Sequence, residues 1–293
     1  MGVQIQTIDR CNASCIMCPY SFSSHPGPAN LMDEGLYTRI LQDLGRSGTL
    51  RSVCLMLQNE PLLDRRLPWQ VRQVKAILGE KTKAVTVTNG ALLTPERIGE
   101  LKESGIDYVA VSIDASREES FKTIRPGLEF STVVENTRNL IEILGGRRVG
   151  VKFLPQRANE GEEEDFFRYW KSLGASVSLD TMTNRAGALD EFERMRISRP
   201  GITKRIGHRI LNRLIPSCPL SFTSMSILWD GRVTMCCHDW EPRDAVGNLS
   251  SQTVDEVWNG EKMNHYRHLL WSGRAAESTI CRDCSLSLKF WGQ

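Results

Sequence analysis

No uninterrupted apolar run in this sequence approaches the roughly 20 residues that a membrane-spanning helix requires. An excess of charge of one sign is missing too: Lys plus Arg total 37 against 35 for Asp plus Glu, a formal net charge of +2. So even a balance offers no global field for nucleic acid or an anionic membrane, and neither is expected as a partner. The opening residues, MGVQIQTIDR, lack the basic-then-apolar pattern of an export signal, which points to a cytoplasmic setting. Internal repeats and biased tracts are absent, and 40% hydrophobic with 25% charged residues excludes disorder and collagen-like structure. The length, 293 residues, suits one sizeable domain with an appendage. Cysteine is missing altogether between Cys54 and Cys218.

The cysteines that are present gather at the two ends. There are nine: Cys11, Cys15, Cys18, Cys54, Cys218, Cys236, Cys237, Cys281 and Cys284. An odd count without an export signal argues against a disulfide framework, and in a reducing compartment close thiols bind metal or do chemistry. Cys54 lies in the apolar run SVCLML and reads as a packed strand residue.

Hydrophobic periodicity predicts strands at Val3–Ile8, Val53–Leu57, Ala84–Thr88, Tyr108–Ile113, Val149–Leu154 and Val177–Leu179. Helices are expected at Met32–Leu44, Val71–Leu78, Thr132–Leu144 and Asp165–Leu173. Another opens at Thr94-Pro95-Glu96, with Thr94 as the cap, and Gly105 closes it. Six strands alternating with helices predict an α/β fold: a partial (β/α)6 barrel over residues 1–183, with its site in the loops after the strands. Residues 184–217 form a basic linker or helical extension, carrying Arg185, Arg194, Arg196, Arg199, Lys204, Arg205, Arg209 and Arg213. That stretch is either a solvated face or a docking patch for an acidic partner. Residues 218–293 form a small second domain opened by a hairpin at Asp230-Gly231.

Cys11, Cys15 and Cys18 place three thiolates in one short loop after the first strand, in a C-x3-C-x2-C spacing. Zinc usually takes four ligands in spatially separate pairs, whereas three close thiolates suit three corners of a cubane iron–sulfur cluster and leave one iron open. In this motif the chain resembles the radical S-adenosylmethionine (radical SAM) superfamily. The resemblance implies that the open iron binds SAM and that cluster reduction yields a 5′-deoxyadenosyl radical, which abstracts hydrogen from a substrate. It also assigns SAM contacts to Gln58, Asn59 and Glu60 before Pro61, where the family usually has Gly-Gly-Glu-Pro. Asn89 in the Thr88-Asn89-Gly90 turn, Ser112 in VSIDA and Arg125 in IRPG complete the set. Ser112 resembles a ribose contact and Arg125 the arginine that pairs with the SAM carboxylate. Met17 stands where the family commonly has an aromatic residue.

Cys218, Cys236, Cys281 and Cys284 resemble the ligands of the SPASM auxiliary-cluster domain in its shortened twitch form, which implies two [4Fe–4S] clusters in all. Four thiolates also fit structural zinc. Cys237 is left over. The chain is similar to two aminoglycoside-biosynthesis members of the family, one an epimerase and one a dehydrogenase. On the first likeness Cys237 returns a hydrogen atom to a sugar or aminocyclitol radical from the opposite face, and epimerisation is the leading expectation. On the second, the auxiliary cluster accepts an electron as a secondary alcohol becomes a ketone, with His238 or Asp239 as candidate bases. Modification of a peptide is a third reading, disfavoured by the ten residues before Cys11. A non-enzymatic metal protein is a fourth. The substrate is expected to be a polycationic aminoglycoside-type small molecule, and the electron donor a flavodoxin or ferredoxin. The acidic run Glu160–Asp165 and the weaker candidates Asp180, Asp230, Asp239 and Glu241 could receive cationic groups, although acidic residues that open a helix also serve its dipole. Trp229, Trp240, Trp258 and Trp271 read as core of the second domain.

Overall fold

A computed structural model describes residues 1–22, 27–46, 48, 50–197, 218–240, 242 and 244–286. Strands β1 (Gly2–Ile5), β2 (Ser52–Cys54), β3 (Lys83–Thr88), β4 (Tyr108–Ser112), β5 (Val149–Phe153) and β6 (Ser176–Leu179) lie side by side in chain order. Every neighbouring pair among them is parallel. Helices α1 (Glu34–Arg46), α2 (Leu67–Leu78), α3 (Pro95–Glu103), α4 (Glu118–Ile124), α5 (Phe130–Leu144) and α6 (Glu163–Ser172) fill the connections. The expected six parallel strands are present, joined by five helical connections, of which the one after β4 holds both α4 and α5. Strands β3 and β6 each begin one residue before the expected start and the other four are shorter than expected: β1 ends at Ile5 because Ile8 turns away to bridge Leu31.

The sheet does not stop at β1. Strand β7 (Ser224–Ile227) pairs parallel with β1 along its whole length, and β8 (Arg232–Thr234) and β9 (Gly247–Asn248) extend the sheet antiparallel. The predicted hairpin therefore continues the barrel sheet. Gly231 makes its turn, with a left-handed φ of 85° that side chains other than glycine rarely adopt.

One face of each strand packs on helices. Val3, Ile5, Val53, Ala84, Val109, Val111, Val149, Val151 and Phe153 are buried there, against Tyr37, Ile40, Leu41 and Leu44 of α1 and their counterparts. The alternate residues Gln4, Cys54, Tyr108, Ser112 and Lys152 are half-buried and face the concave interior. Thr94 caps α3 as expected, accepting from Arg97 N at 3.3 Å. Helix α4 has no counterpart in the sequence reading. Seven residues with only Ser120, Phe121 and Ile124 buried make too short a pattern to read.

Among the described residues four non-glycines have left-handed backbone: Gln58, Asp114, Arg185 and Ala186. They lie in the loops that follow β2, β4 and β6. Strain of this kind persists where surrounding structure enforces it, and it gathers at functional sites. Here it marks the carboxyl edge of the sheet.

Candidate active site at the carboxyl edge of the sheet

The three-cysteine loop after β1 is held from several sides. Cys18 N donates to Cys15 O at 3.1 Å, and Ile16 N donates to Ile124 O at the end of α4, 3.0 Å away. Glu60 N donates to Arg10 O at 2.8 Å, joining the loop to the end of β2. Asn89 Nδ2 donates to Asn12 Oδ1 at 2.8 Å, which joins it to the end of β3. Glu60 is buried and accepts from Thr88 Oγ1 (2.7 Å), Asn89 N (2.8 Å) and Leu62 N (3.1 Å). Burial pushes its carboxyl up, against those three hydrogen bonds.

Arg125 was expected to await a carboxylate ligand. It forms a buried ion pair with Asp114, and its Nη1 donates to the Cys15 sulfur at 3.3 Å. Burial works against the guanidinium charge, but Asp114 and then Cys15 hold it protonated. Its Nε is a buried donor without a hydrogen-bond partner among the described residues. Asn59 is similar: Oδ1 accepts from Leu57 N at 2.9 Å while Nδ2 is buried and unpartnered. Two orphaned donors beside a thiol loop fit a ligand rich in acceptors, as the carboxylate and ribose of SAM are. Ser112 stands at the end of β4, half-buried. Gln58 does not join this cradle through its side chain. Its Nε2 reaches across to Asp239 O at 3.0 Å and Cys237 O at 3.5 Å. Its φ of 57° supplies the backbone turn that glycine would otherwise give.

The second thiol set lies across that bridge. Cys218, Cys236, Cys281 and Cys284 are shielded by protein and act electrostatically on one another. Burial pushes Cys281 up to about 12, Cys11 to about 12 and Cys18 to about 11, and raises Cys15, Cys218 and Cys236 as well. Such thiols become thiolates only beside a compensating cation, which cluster irons provide. Among the described residues no three such side chains stand at the spacing of a single bound ion.

Two features around this set had no signal in the sequence. The loop after β6 is fastened to it: Asn184 N donates to Ser285 Oγ at 3.0 Å, Ser285 N to Asn184 Oδ1 at 2.8 Å, and Thr183 Oγ1 lies 3.3 Å from His238 Nδ1. Lys152 on β5 pairs with Asp180 at 2.8 Å. Cys54, expected to be core packing, is only half-buried on the interior face. Burial pushes its thiol up to about 11, opposed by Lys152 and reinforced by Cys237 from across the interior.

The remaining candidates fall elsewhere. In the acidic run, Glu162 accepts from Ser116 N and Oγ, Glu163 holds Gly161 N, and Glu164 and Asp165 pair with Arg168 on exposed α6. These four carboxylates are engaged in contacts with neighbouring protein groups. Asp230 serves its own turn, paired with Arg232. Asp239 is buried beside the second thiol set, and Glu241 lies outside the described residues. Trp271 is 58% exposed, so it is surface and not core. Of the basic run, Arg194 and Arg196 pair with Glu191 and Glu193, while Arg199, Lys204, Arg205, Arg209 and Arg213 lie outside the described residues.

The profile of the radical SAM superfamily matches residues 5–155, more than half the chain. The chain belongs to the radical SAM superfamily. The profile of an iron–sulfur cluster-binding domain, SPASM, matches residues 218–285. This radical SAM chain is 21% identical over 283 residues to the S-adenosyl-L-methionine-dependent 2-deoxy-scyllo-inosamine dehydrogenase of Niallia circulans, covering 97% of itself and 92% of that protein. Its structure superposes on BtrN in complex with AdoMet and 2-DOIA with a TM-score of 0.66, at 20% identity, over 97% of this chain and 92% of that one. It also superposes on Streptococcus suis SuiB bound to the precursor peptide SuiA, with a TM-score of 0.70 at 14% identity, over 98% and 70% of the two chains. Those likenesses establish the fold. The radical SAM enzyme thus uses SAM and two iron–sulfur clusters. No helix among the described residues is long and apolar enough to cross a membrane.

Proposed function

We propose that this radical SAM enzyme oxidises a secondary alcohol of a cyclitol or aminocyclitol to a ketone. The observation that carries the reading is the near-complete overlap with a 2-deoxy-scyllo-inosamine dehydrogenase. The expectation of an epimerase gives way to its alternative, because that relative matches the whole length of the chain and is an oxidoreductase. The substrate is taken as a small molecule of that class, and a flavodoxin- or ferredoxin-type protein as the reductant.

When bound, SAM and the clusters would supply one-electron chemistry: hydrogen abstraction from substrate and an acceptor for the electron released. Cys11, Cys15 and Cys18 would hold the first cluster, and Cys218, Cys236, Cys281 and Cys284 the second. Asn59, Glu60, Asn89, Ser112 and Arg125 would bind SAM. Asn59 Nδ2 and Arg125 Nε are buried donors without a hydrogen-bond partner among the described residues. Gln58 positions the second site against the first, since its amide spans the two loops. His238 is buried, and that burial, with Arg185 nearby, lowers its pKa to about 3. Its neutral ring is a hydrogen-bond acceptor near the interior.

Anaerobic turnover of 2-deoxy-scyllo-inosamine in deuterated water tests the reading. A product lighter by two hydrogens supports oxidation. Recovery of an inverted alcohol carrying one deuterium would return the choice to epimerisation.

A further inference from the structure

We propose that Arg185 binds substrate, its guanidinium fork donating to two neighbouring oxygens of the molecule lying between the two thiol sets. The assignment rests on the oxidation reading for the type of oxygen bound.

The backbone at this position is costly. Arg185 and Ala186 are consecutive left-handed residues, with φ of 51° and 55°, and neither is glycine. The loop tolerates this because it is fastened on both sides to the segments that carry the second thiol set. Thr183 meets His238, one residue beyond Cys237, and Asn184 makes two hydrogen bonds with Ser285 and a third to Asp283 O at 2.5 Å. Gly187 lies against the same strip of chain, where an added Cβ would stand 3.1 Å from Asp283 Cβ. The contacts fix where the Arg185 side chain starts. Its charge is felt at Cys18 in the first loop and at Cys237 and His238 in the second, so it stands within electrostatic range of both thiol sets.

No carboxylate pairs with Arg185 among the described residues. The other cations near the interior are matched: Lys152 with Asp180 and Arg125 with Asp114. A half-buried arginine on strained backbone, between the two thiol sets and with no carboxylate partner among the described residues, is accounted for by an acceptor that arrives. Its planar fork suits two oxygens side by side, and it stays protonated throughout. Adjacent hydroxyls of a cyclitol present that pair. An ammonium group at the same place would be repelled, so an amino substituent must point away from Arg185. The polycation expected from the sequence is the poorer fit here.

The test uses the reconstituted enzyme with SAM, unreduced, and calorimetric binding of 2-deoxy-scyllo-inosamine to wild type, Arg185→Gln and Arg185→Lys. Loss of charge-assisted hydrogen bonds should weaken binding at least about tenfold in Arg185→Gln, with Arg185→Lys between the two. Iron content and SAM affinity should not change. Equal affinity in Arg185→Gln would overturn the assignment. If wild type binds the probe but forms no product two hydrogens lighter after reduction, the oxidation reading falls and the affinity ratio still decides Arg185. If wild type does not bind the probe, both fall together.

Discussion

Gln58 Nε2 donates to Asp239 O across 3.0 Å, and this contact ties the end of a barrel strand to the loop that carries Cys236. Its left-handed φ of 57° aims the amide there. Gln58→Ala should cost about 1 kcal/mol of stability for the lost hydrogen bond. The sharper effect should be on the second cluster, with faster iron loss on chelation while the first keeps its SAM-bound spectrum. Equal loss from both clusters would mean that the bridge does not position the second site.

Asp114→Asn removes the charge that offsets buried Arg125. Breaking one side of a buried pair typically costs about 3–5 kcal/mol. Asn keeps the Oδ1 that accepts from Leu154 N at 2.8 Å, so the lower melting temperature and the loss of SAM binding expected of the variant report the lost charge. A variant that melts like wild type, measured by calorimetry, would contradict the pairing.

Gly90→Ala should be destabilising by about 1–3 kcal/mol. The residue has φ of 80°, and an added Cβ would lie 2.8 Å from Val111 Cγ1 and 3.2 Å from Val133 Cγ1. Chemical denaturation reads this directly. An unchanged midpoint would show that β4 and α5 can yield.

Local chemistry was legible in the sequence and distant pairing was not. The cap at Thr94, the turn at Asn89-Gly90 and the three-cysteine loop each depend on neighbours a few residues away, and each stands as read. Arg125 was recognised by its motif, yet its partner Asp114 was not, because no short-range pattern announces a bond across a loop. The β1–β7 pairing joins the two ends of the chain and leaves no periodic trace. Cys54 departs from the expectation of a packed residue for a related reason: an apolar run signals a covered strand, but not that its last residue is left half-buried.

Acid stability should depend on Asp107. Partial burial would raise its carboxyl, but hydrogen bonds from Lys75, Lys83 and Ala84 N outweigh that and hold it below its ordinary value. A depressed carboxylate stabilises the fold above the unfolded pKa, about 4, and that contribution fades as pH falls through the lower folded value. Asp107→Asn should therefore melt below wild type at pH 6, with the difference shrinking toward pH 3. A constant difference across that range would assign the effect to packing and not to charge.

Cys237 separates the two reactions most directly. Oxidation has no use for a hydrogen-donating thiol, so Cys237→Ala should still convert 2-deoxy-scyllo-inosamine to the product two hydrogens lighter. Epimerisation requires the donor, and the same variant would then cleave SAM without forming inverted product. The substitution is clean because Gln58 contacts the backbone carbonyl of residue 237 and not its sulfur. The bridge to Asp239 is equally independent of that side chain. Loss of ketone in Cys237→Ala, with both clusters intact by iron analysis, would show that the thiol takes part in the reaction and would remove oxidation without a donor thiol as the reading of this site.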